Sequence, residues 1–581
     1  MHSISKISYL VGLFIIVSIF SGLFLSAQNA SLKPDFRSPL DIPLYLSSNY
    51  GEYRSGHFHA GVDFKTQQVE NKNVYAVDSG YVYRIVVLAA SYGKAIYLKH
   101  PSGHITLYGH LNKFDPEVEK YIREQQYSRK SFSVDLYPDP DRFIYRKGDY
   151  IGLSGNTGMS FGAHLHFEVR DRSGAIPLNP LEYGFQVSDR TRPEIRWLMV
   201  YPLDTASFVN GSRNKFPLKT INSGRLNRVD PDTINVWGNI GIGIETYDYL
   251  DNTSNQCGPA SIEVQADGDR IFLCLIDSIS FSSGGYLYSH FDYDEMLRSG
   301  RKIQKLFIDP NNKLSIYKLA INRGILNFHD SKIHPVKIVV KDTYGNESVL
   351  NFNFRSLEIE KAPSVVVDSS IVQKFFYDSL NVFENESVRI AVPEDALFNH
   401  IDFQYREEKN DSFSYSLVHK VHNRYTALLR PYILSIRSIN LADSLCDKAL
   451  IASRAARGLW LSQGGEYSHG YVTANVRTFG DFVITLDTVP PGIKPINFTP
   501  RGKYLAGRTI SFSITDTLSG IRKYAGYIDK NWALFEYDLK NDLLSYTIDQ
   551  TRLASGKVHD LEIVVTDNKG NVGRFKSSFY Y

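Results

Sequence analysis

Apolar and polar residues alternate with period two along most of this chain, and a strand is the regular element in which that period puts every second side chain on one face. Gly162-Ala-His-Leu-His-Phe-Glu-Val169 is the clearest case: His164, His166 and Glu168 fall on one face, Leu165, Phe167 and Val169 on the other. Val74 to Val77, Gly80 to Val87, Ala95 to Lys99, Val388 to Val392, Tyr471 to Val476 and Phe482 to Leu486 read the same way. Tyr and Phe, 38 and 34 of them against 4 Met, suit pleated, half-buried surfaces. The expected fold class is mainly β. At 581 residues the chain exceeds the roughly 100 to 200 of one domain, so three to five domains are expected. A formal net charge of +3 with both signs interspersed leaves no basic stripe for a row of phosphates, and no nucleic acid partner is expected.

Residues 1–27 read as a signal peptide, with Lys6 in a short polar start, an apolar run from Tyr9 to Leu25, and Ser26-Ala27 before Gln28. An uncleaved N-terminal helix is the competing reading, because the run approaches the roughly 18 to 20 residues of a membrane span. Either way the expectation is an exported protein of the periplasm or cell envelope. With no cysteine after the run, a lipoprotein anchor there is not expected. Cys257, Cys274 and Cys446 are too few for a disulfide framework; a Cys257–Cys274 bridge and unpaired buried thiols both stay open.

Residues 28–187 form the first β domain, with an insertion at 113–146 whose Pro116-Glu-Val-Glu-Lys-Tyr-Ile-Arg-Glu-Gln stretch reads as a helix broken by Pro138-Asp-Pro-Asp. Because it continues from the strand that carries His110, it is expected to cover part of a groove as a lid. A weak repeat runs through the rest of the chain. Asp189-Arg-Thr-Arg-Pro-Glu-Ile and Asp487-Thr-Val-Pro-Pro-Gly-Ile open two units, and Val339-Val-Lys-Asp-Thr-Tyr-Gly-Asn and Val564-Val-Thr-Asp-Asn-Lys-Gly-Asn stand near their ends. Residues 188–360 and 487–581 are therefore read as immunoglobulin-like β-sandwiches, and 361–486 as a β domain of uncertain type. These units show no His, Asp or Glu clustered at ligand spacing, so the chemistry is expected upstream.

There, seven of the 16 histidines fall between His57 and His166. His59 and Asp63 stand four apart, on one face of an extended segment, with Gly61 between them leaving room for an ion. His164 and His166 make half a metal site, and His110 lies on the polar side of Thr106-Leu-Tyr-Gly-His-Leu. Two neutral imidazoles and a carboxylate without thiolate suit Zn²⁺ with a fourth position for water, and two further histidines remain for acid–base work. His57, His100 and His104 read as flank and turn residues. Glu168 reads first as an exposed charge and second as a support for a ligand imidazole.

His-Ala-Gly-Val-Asp63, Leu-Tyr-Gly-His110-Leu and Gly155-Asn-Thr-Gly-Met-Ser-Phe-Gly-Ala-His-Leu-His-Phe-Glu-Val169 resemble, in order and spacing, the three signatures of the lysostaphin/LytM-type zinc endopeptidases. The resemblance spans about residues 38–183. It implies one Zn²⁺ per chain on His59, Asp63 and His166, with His110 and His164 catalytic, and peptidoglycan peptides as the substrate. Leu46-Ser-Ser-Asn-Tyr-Gly also looks like the family, and Tyr53, just ahead of the first motif, is placed as a substrate-orienting residue. The C-terminal β domains lie outside the resemblance and are expected to meet envelope protein partners. The alternative is a non-catalytic envelope scaffold or an activator of other wall hydrolases.

Overall fold

A computed structural model describes residues 33–54, 56–357, 370–409, 415–455 and 458–581. The expected signal peptide or anchor at 1–27 lies outside the described residues, among which no helix is long and apolar enough to cross a membrane. The chain is mainly β, as its patterning requires.

The N-terminal domain is built on β1 (Leu46–Ser48), β2 (Val62–Lys65), β3 (Gly80–Val87), β4 (Lys94–Lys99), β5 (Ile105–Gly109), α1 (Pro116–Arg129), β6 (Val134–Leu136) and β7 (His164–Arg170). The strands run in the order β1-β2-β7-β5-β4-β3-β6, each antiparallel to its neighbours. Leu165, Phe167 and Val169 of β7 are buried against Phe64, Tyr108 and Phe185, so the alternation read from the sequence is realised. That fixes the register, since a one-residue slip would drive His164 and His166 into this core.

The insertion joins the N-terminal sheet to the C-terminal domain. β6 pairs with β3 and extends the sheet at the edge far from β1. Helix α1 starts at Asp115, which caps the amides of Glu117 and Val118, and it buries Val118, Ile122 and Gln126 at four-residue spacing. The side chains beside that stripe meet the C-terminal domain: Tyr127 packs on Trp532 at 5.3 Å, Arg552 stands 3.4 Å over the Tyr127 ring, and Arg123 pairs with Asp549. The insertion is a strut between domains.

The second unit, read as a sandwich at 188–360, has two sheets that share one long strand. Its thirteen strands are connected, because the long β9 (Thr233–Tyr247) pairs antiparallel with β8 (Glu194–Pro202) through its C-terminal half and parallel with β10 (Glu347–Ser356) through its N-terminal end. Helical turns at 281–299, ending in α2 (Tyr293–Ser299), lie against the N-terminal domain. Residues 371–486 form a six-stranded and a five-stranded sheet. Residues 492–580 form two four-stranded sheets whose Phe512 and Phe575 rings meet at 5.3 Å. All three cysteines are free, Cys257 and Cys274 buried.

One expectation about these units is overturned. Asp189, Asp248 and Asp342 come together with ligand oxygens within 4.8 Å of one another, and so do Asp487, Asp516 and Asp567. The members of each trio lie on separate elements, so linear spacing hides them.

Candidate active site

The register of three strands brings the site together. His166 stands opposite Asp63 of β2 on one side and Gly109 of β5 on the other. Facing side chains in such pairs are within reach, and His166 Nδ1 lies 2.8 Å from Asp63 Oδ1. His59 enters from the turn before β2, its Nε2 3.1 Å from that oxygen and 3.0 Å from His166 Nδ1. The ligand atoms of His59, Asp63 and His166 all lie within 4.8 Å of one another, and all three residues are buried. Beside them, His164 Nε2 is 3.5 Å from Asp63 Oδ1, and the His110 ring centre is 4.9 Å from that of His164 and 5.7 Å from that of His166. The structure thus gathers all five residues picked out in the sequence.

Gly61 has a different duty from the one expected. A Cβ there would stand 2.2 Å from the Phe167 carbonyl oxygen and 2.8 Å from Glu168 Cγ. Glycine lets β7 approach; it does not leave room for an ion. His110 sits just past β5 with φ 57°, a left-handed conformation that costs a non-glycine residue about 1 kcal/mol or more, and its amide donates to the Tyr92 carbonyl.

Each imidazole is held by one ring nitrogen. His59 Nδ1 faces the Asn49 carbonyl at 2.8 Å, His110 Nδ1 the Thr157 carbonyl at 2.8 Å, His164 Nδ1 the Gly162 carbonyl at 2.8 Å, and His166 Nε2 the Glu168 carboxylate at 2.9 Å. These partners only accept, so each anchored nitrogen carries a proton; His59, His110 and His164 hold a lone pair on the other nitrogen, and so does His166 when it is neutral. His59 Nε2, His166 Nδ1 and Asp63 Oδ1 then face one another as three electron-pair donors. They repel unless a cation lies among them, and two nitrogens with one carboxylate oxygen fit Zn²⁺. The lone-pair nitrogen of His164 is buried without a hydrogen-bond partner and faces the same space.

The electrostatics carry the same demand for positive charge. Burial holds His59 down at about 4, and burial with the neighbouring His166 and His164 holds His110 down at about 3. Burial also works against a charged His166, but its bonds to Asp63 and Glu168 prevail and raise it to about 9. Burial opposes ionisation of Asp63, yet the surrounding imidazoles hold it well below the usual carboxylate range. Glu168 is lowered to about 2 against the effect of its burial by Arg170 and His166.

Several supporting residues went unread in the sequence. Arg54 Nη2 bonds Asp63 Oδ2 at 2.5 Å, leaving Oδ1 to face the histidines. Glu168 is not an exposed charge. It is fully buried, holding His166 through one oxygen and Arg170 Nε, at 2.7 Å, through the other. The signal was present in the alternation, which places His166, Glu168 and Arg170 on one face. Tyr53 is misassigned as a substrate-orienting residue: its ring packs on Phe291 at 4.1 Å and its hydroxyl donates to Met296 Sδ, so it fastens the second unit to the first. His100 is spent on Ser79 and Thr106, and His104 on Ser102, as their turn positions suggested.

Two other domains bear on the site. Asn49, whose carbonyl holds His59, exchanges both of its side-chain hydrogen bonds with the backbone of Gly258, at 2.8 and 2.9 Å. Lys540 of the C-terminal domain donates to the carbonyls of Asn156 and Gly158, either side of the Thr157 carbonyl that holds His110.

Residues 57–127 match Peptidase family M23. The N-terminal unit is an M23 peptidase domain. The matched stretch contains His59, Asp63 and His110. Residues 372–487 match the Zu5-like domain, which types the β unit left open at 361–486. A Haemophilus influenzae protein named "Uncharacterized metalloprotease" is 29% identical over 168 residues, 28% of this chain and 30% of that one. "DD-carboxypeptidase/endopeptidase Mpg" of Neisseria meningitidis serogroup B is 28% identical over 136 residues, 23% of this chain and 25% of that one. The chain thus spans less than a third of the length of these curated relatives. A zinc containing peptidase from Vibrio cholerae aligns with 25% identity and a TM-score of 0.19, covering 25% of this chain and 39% of that one.

Proposed function

We propose that the M23 domain is a zinc-dependent endopeptidase that cuts peptide cross-links of bacterial peptidoglycan, in the periplasm or cell envelope. The observation that carries the reading is the convergence of four imidazoles and Asp63 on one space, each ring anchored through its far nitrogen. His59 Nε2, Asp63 Oδ1 and His166 Nδ1 are the proposed ligands. Zn²⁺ bound there supplies Lewis-acid chemistry and brings the pKa of water toward about 7. His110 and His164 flank that space as the acid–base pair. His110 Nδ1 is anchored on the Thr157 carbonyl, which leaves its Nε2 free to accept a proton from the attacking water. The anchoring carbonyls of Thr157 and Gly162 keep each ring turned toward the substrate while its free nitrogen gains and loses the proton. The peptidase names of the relatives and the resemblance to the lysostaphin type support peptide hydrolysis, and the wall peptide as substrate rests on that resemblance. The C-terminal β domains are proposed to meet envelope proteins.

The test is metal analysis beside wall-hydrolysis rates for four variants of the full chain. Asp63→Ala and His166→Ala are expected to lose zinc, and His110→Ala and His164→Ala to keep it while turnover falls by about 10²- to 10⁴-fold. Zinc retained by His166→Ala but lost by His164→Ala would overturn this division of roles. A wild-type chain that binds no zinc and cleaves no wall peptide would turn the reading to the scaffold.

A further inference from the structure

The trio Asp189, Asp248 and Asp342 has no part in peptide hydrolysis, and it is built in a way that calls for a ligand. Asp248, just past the end of β9, is 2% exposed, and its Oδ1 has no hydrogen-bond partner. Asp189 Oδ2 is also unpartnered. A buried, unsatisfied carboxylate oxygen costs free energy in any folded protein, and a second one beside it adds repulsion. Among the described residues no Lys, Arg or His forms an ion pair with Asp189, Asp248 or Asp342. The third carboxylate is fixed rather than free: Asp342 Oδ1 accepts from the amides of Tyr344 and Asn346 at 2.8 and 2.9 Å, and Oδ2 from Asn346 Nδ2 at 2.7 Å. That same amide nitrogen also reaches the Asp189 carbonyl, so the turn after Asp342 links Asp342 to Asp189 without neutralising either carboxylate.

We propose that Asp189, Asp248 and Asp342 form a calcium site at the seam between the M23 domain and the next β unit. The donor set is oxygen only, which suits a hard divalent cation, and Ca²⁺ tolerates an irregular cage of six to eight oxygens where Mg²⁺ demands a near-octahedral one. One further fact supports the site. The pattern recurs at the equivalent places of the repeat: Asp487, Asp516 and Asp567 converge within the same 4.8 Å, and Asp567 accepts from Lys569 N, Asn571 N and Asn571 Nδ2 as Asp342 does from its turn.

The position gives the ion a task. Asp189 lies in the connecting segment after the M23 domain, Asp248 at the end of β9, and Asp342 at the hairpin before β10. A cation shared by the three ties the connector to the unit that holds Asn49, and through Asn49 to His59. The site is distinct from the proposed zinc centre and stands whether or not the domain proves to be a peptidase.

The experiment uses the full chain, stripped with chelator, desalted and titrated with CaCl₂, with bound calcium counted by mass spectrometry and the melting temperature recorded in parallel. Wild type is expected to bind calcium with a rise of several degrees in Tm. Asp248→Asn should bind one Ca²⁺ fewer per chain, and in calcium-free buffer should melt no lower than wild type, because the change removes a buried carboxyl oxygen that has no hydrogen-bond partner. Asp189→Asn is a second, independent variant with the same expected loss. Zinc content should be unchanged in both. The same calcium count in wild type and in either folded variant would overturn the site, and so would the absence of calcium binding at millimolar concentration. Equal stabilisation by MgCl₂ would overturn the assignment to calcium.

Discussion

Replacing Glu168 by Gln tests how the site is held. Glu168 is fully buried and divides its two oxygens between His166 Nε2, at 2.9 Å, and Arg170 Nε, at 2.7 Å. Glutamine keeps the shape but has one acceptor oxygen, so one of the two donors must face an NH₂ group. The loss also strands the Arg170 guanidinium, itself buried, and an uncompensated buried charge costs about 3 to 5 kcal/mol. The metal effect is separate. Support of a ligand imidazole is worth about 10- to 100-fold in affinity, or about 1.4 to 2.8 kcal/mol at 1.4 kcal/mol per tenfold. Urea unfolding of the metal-free chain reads the first effect and chelator competition for zinc reads the second. The double variant Glu168→Gln/Arg170→Met separates them: with the stranded cation gone, most of the fold stability should return while zinc affinity stays low. Wild-type zinc affinity in folded Glu168→Gln, or recovery of affinity in the double variant, would refute the reasoning.

Gly61→Ala places a methyl 2.2 Å from the Phe167 carbonyl and should cost about 3 kcal/mol or more by forcing β2 from β7, with zinc affinity falling alongside stability in the same denaturation and competition assays. Tyr53→Phe should leave KM and kcat on wall fragments unchanged; Tyr53→Ala should lower stability by about 3 kcal/mol through lost packing on Phe291, and a rise in KM alone would restore Tyr53 to the substrate. Glu295 is depressed to about 2, against the effect of its burial, by Ser299, Lys215 and Arg301. A depressed carboxyl stabilises the fold above its ordinary value of 4.5 and loses that contribution as pH falls through about 2. The stability gap between wild type and Glu295→Gln should therefore be full at pH 6 and close on acidification across that window in urea titrations; a constant gap would show that the ion pairs contribute nothing.

The sequence made legible what side-chain period and residue type can carry. Alternation in residues 162–169 specified β7, its core face and its histidine face, and with the other two motifs it named all five residues at the centre. Three of the four imidazole anchors are backbone carbonyls, of Asn49, Thr157 and Gly162, which every residue type offers, so no letter marks them. The aspartate trio was hidden because proximity there is created by the strand pairing of a whole unit. The duty of the insertion was hidden for a related reason: its partner Asp549 is 426 positions from Arg123. Tyr53 misled because closeness in sequence to a motif does not say which way a short strand turns its ring.

The Lys540 contact adds an ordering in time. Protein chains emerge from the N-terminus, so His59, Asp63, His110 and His166 are all made long before the lysine that grips both sides of the Thr157 carbonyl. A polypeptide stopped or clipped between residues 170 and 540 carries every chemical group of the centre yet lacks this brace on the loop that aims His110. Folding of the domain that carries Lys540 thus comes after the centre's own groups are made and adds a late support to the loop that aims His110.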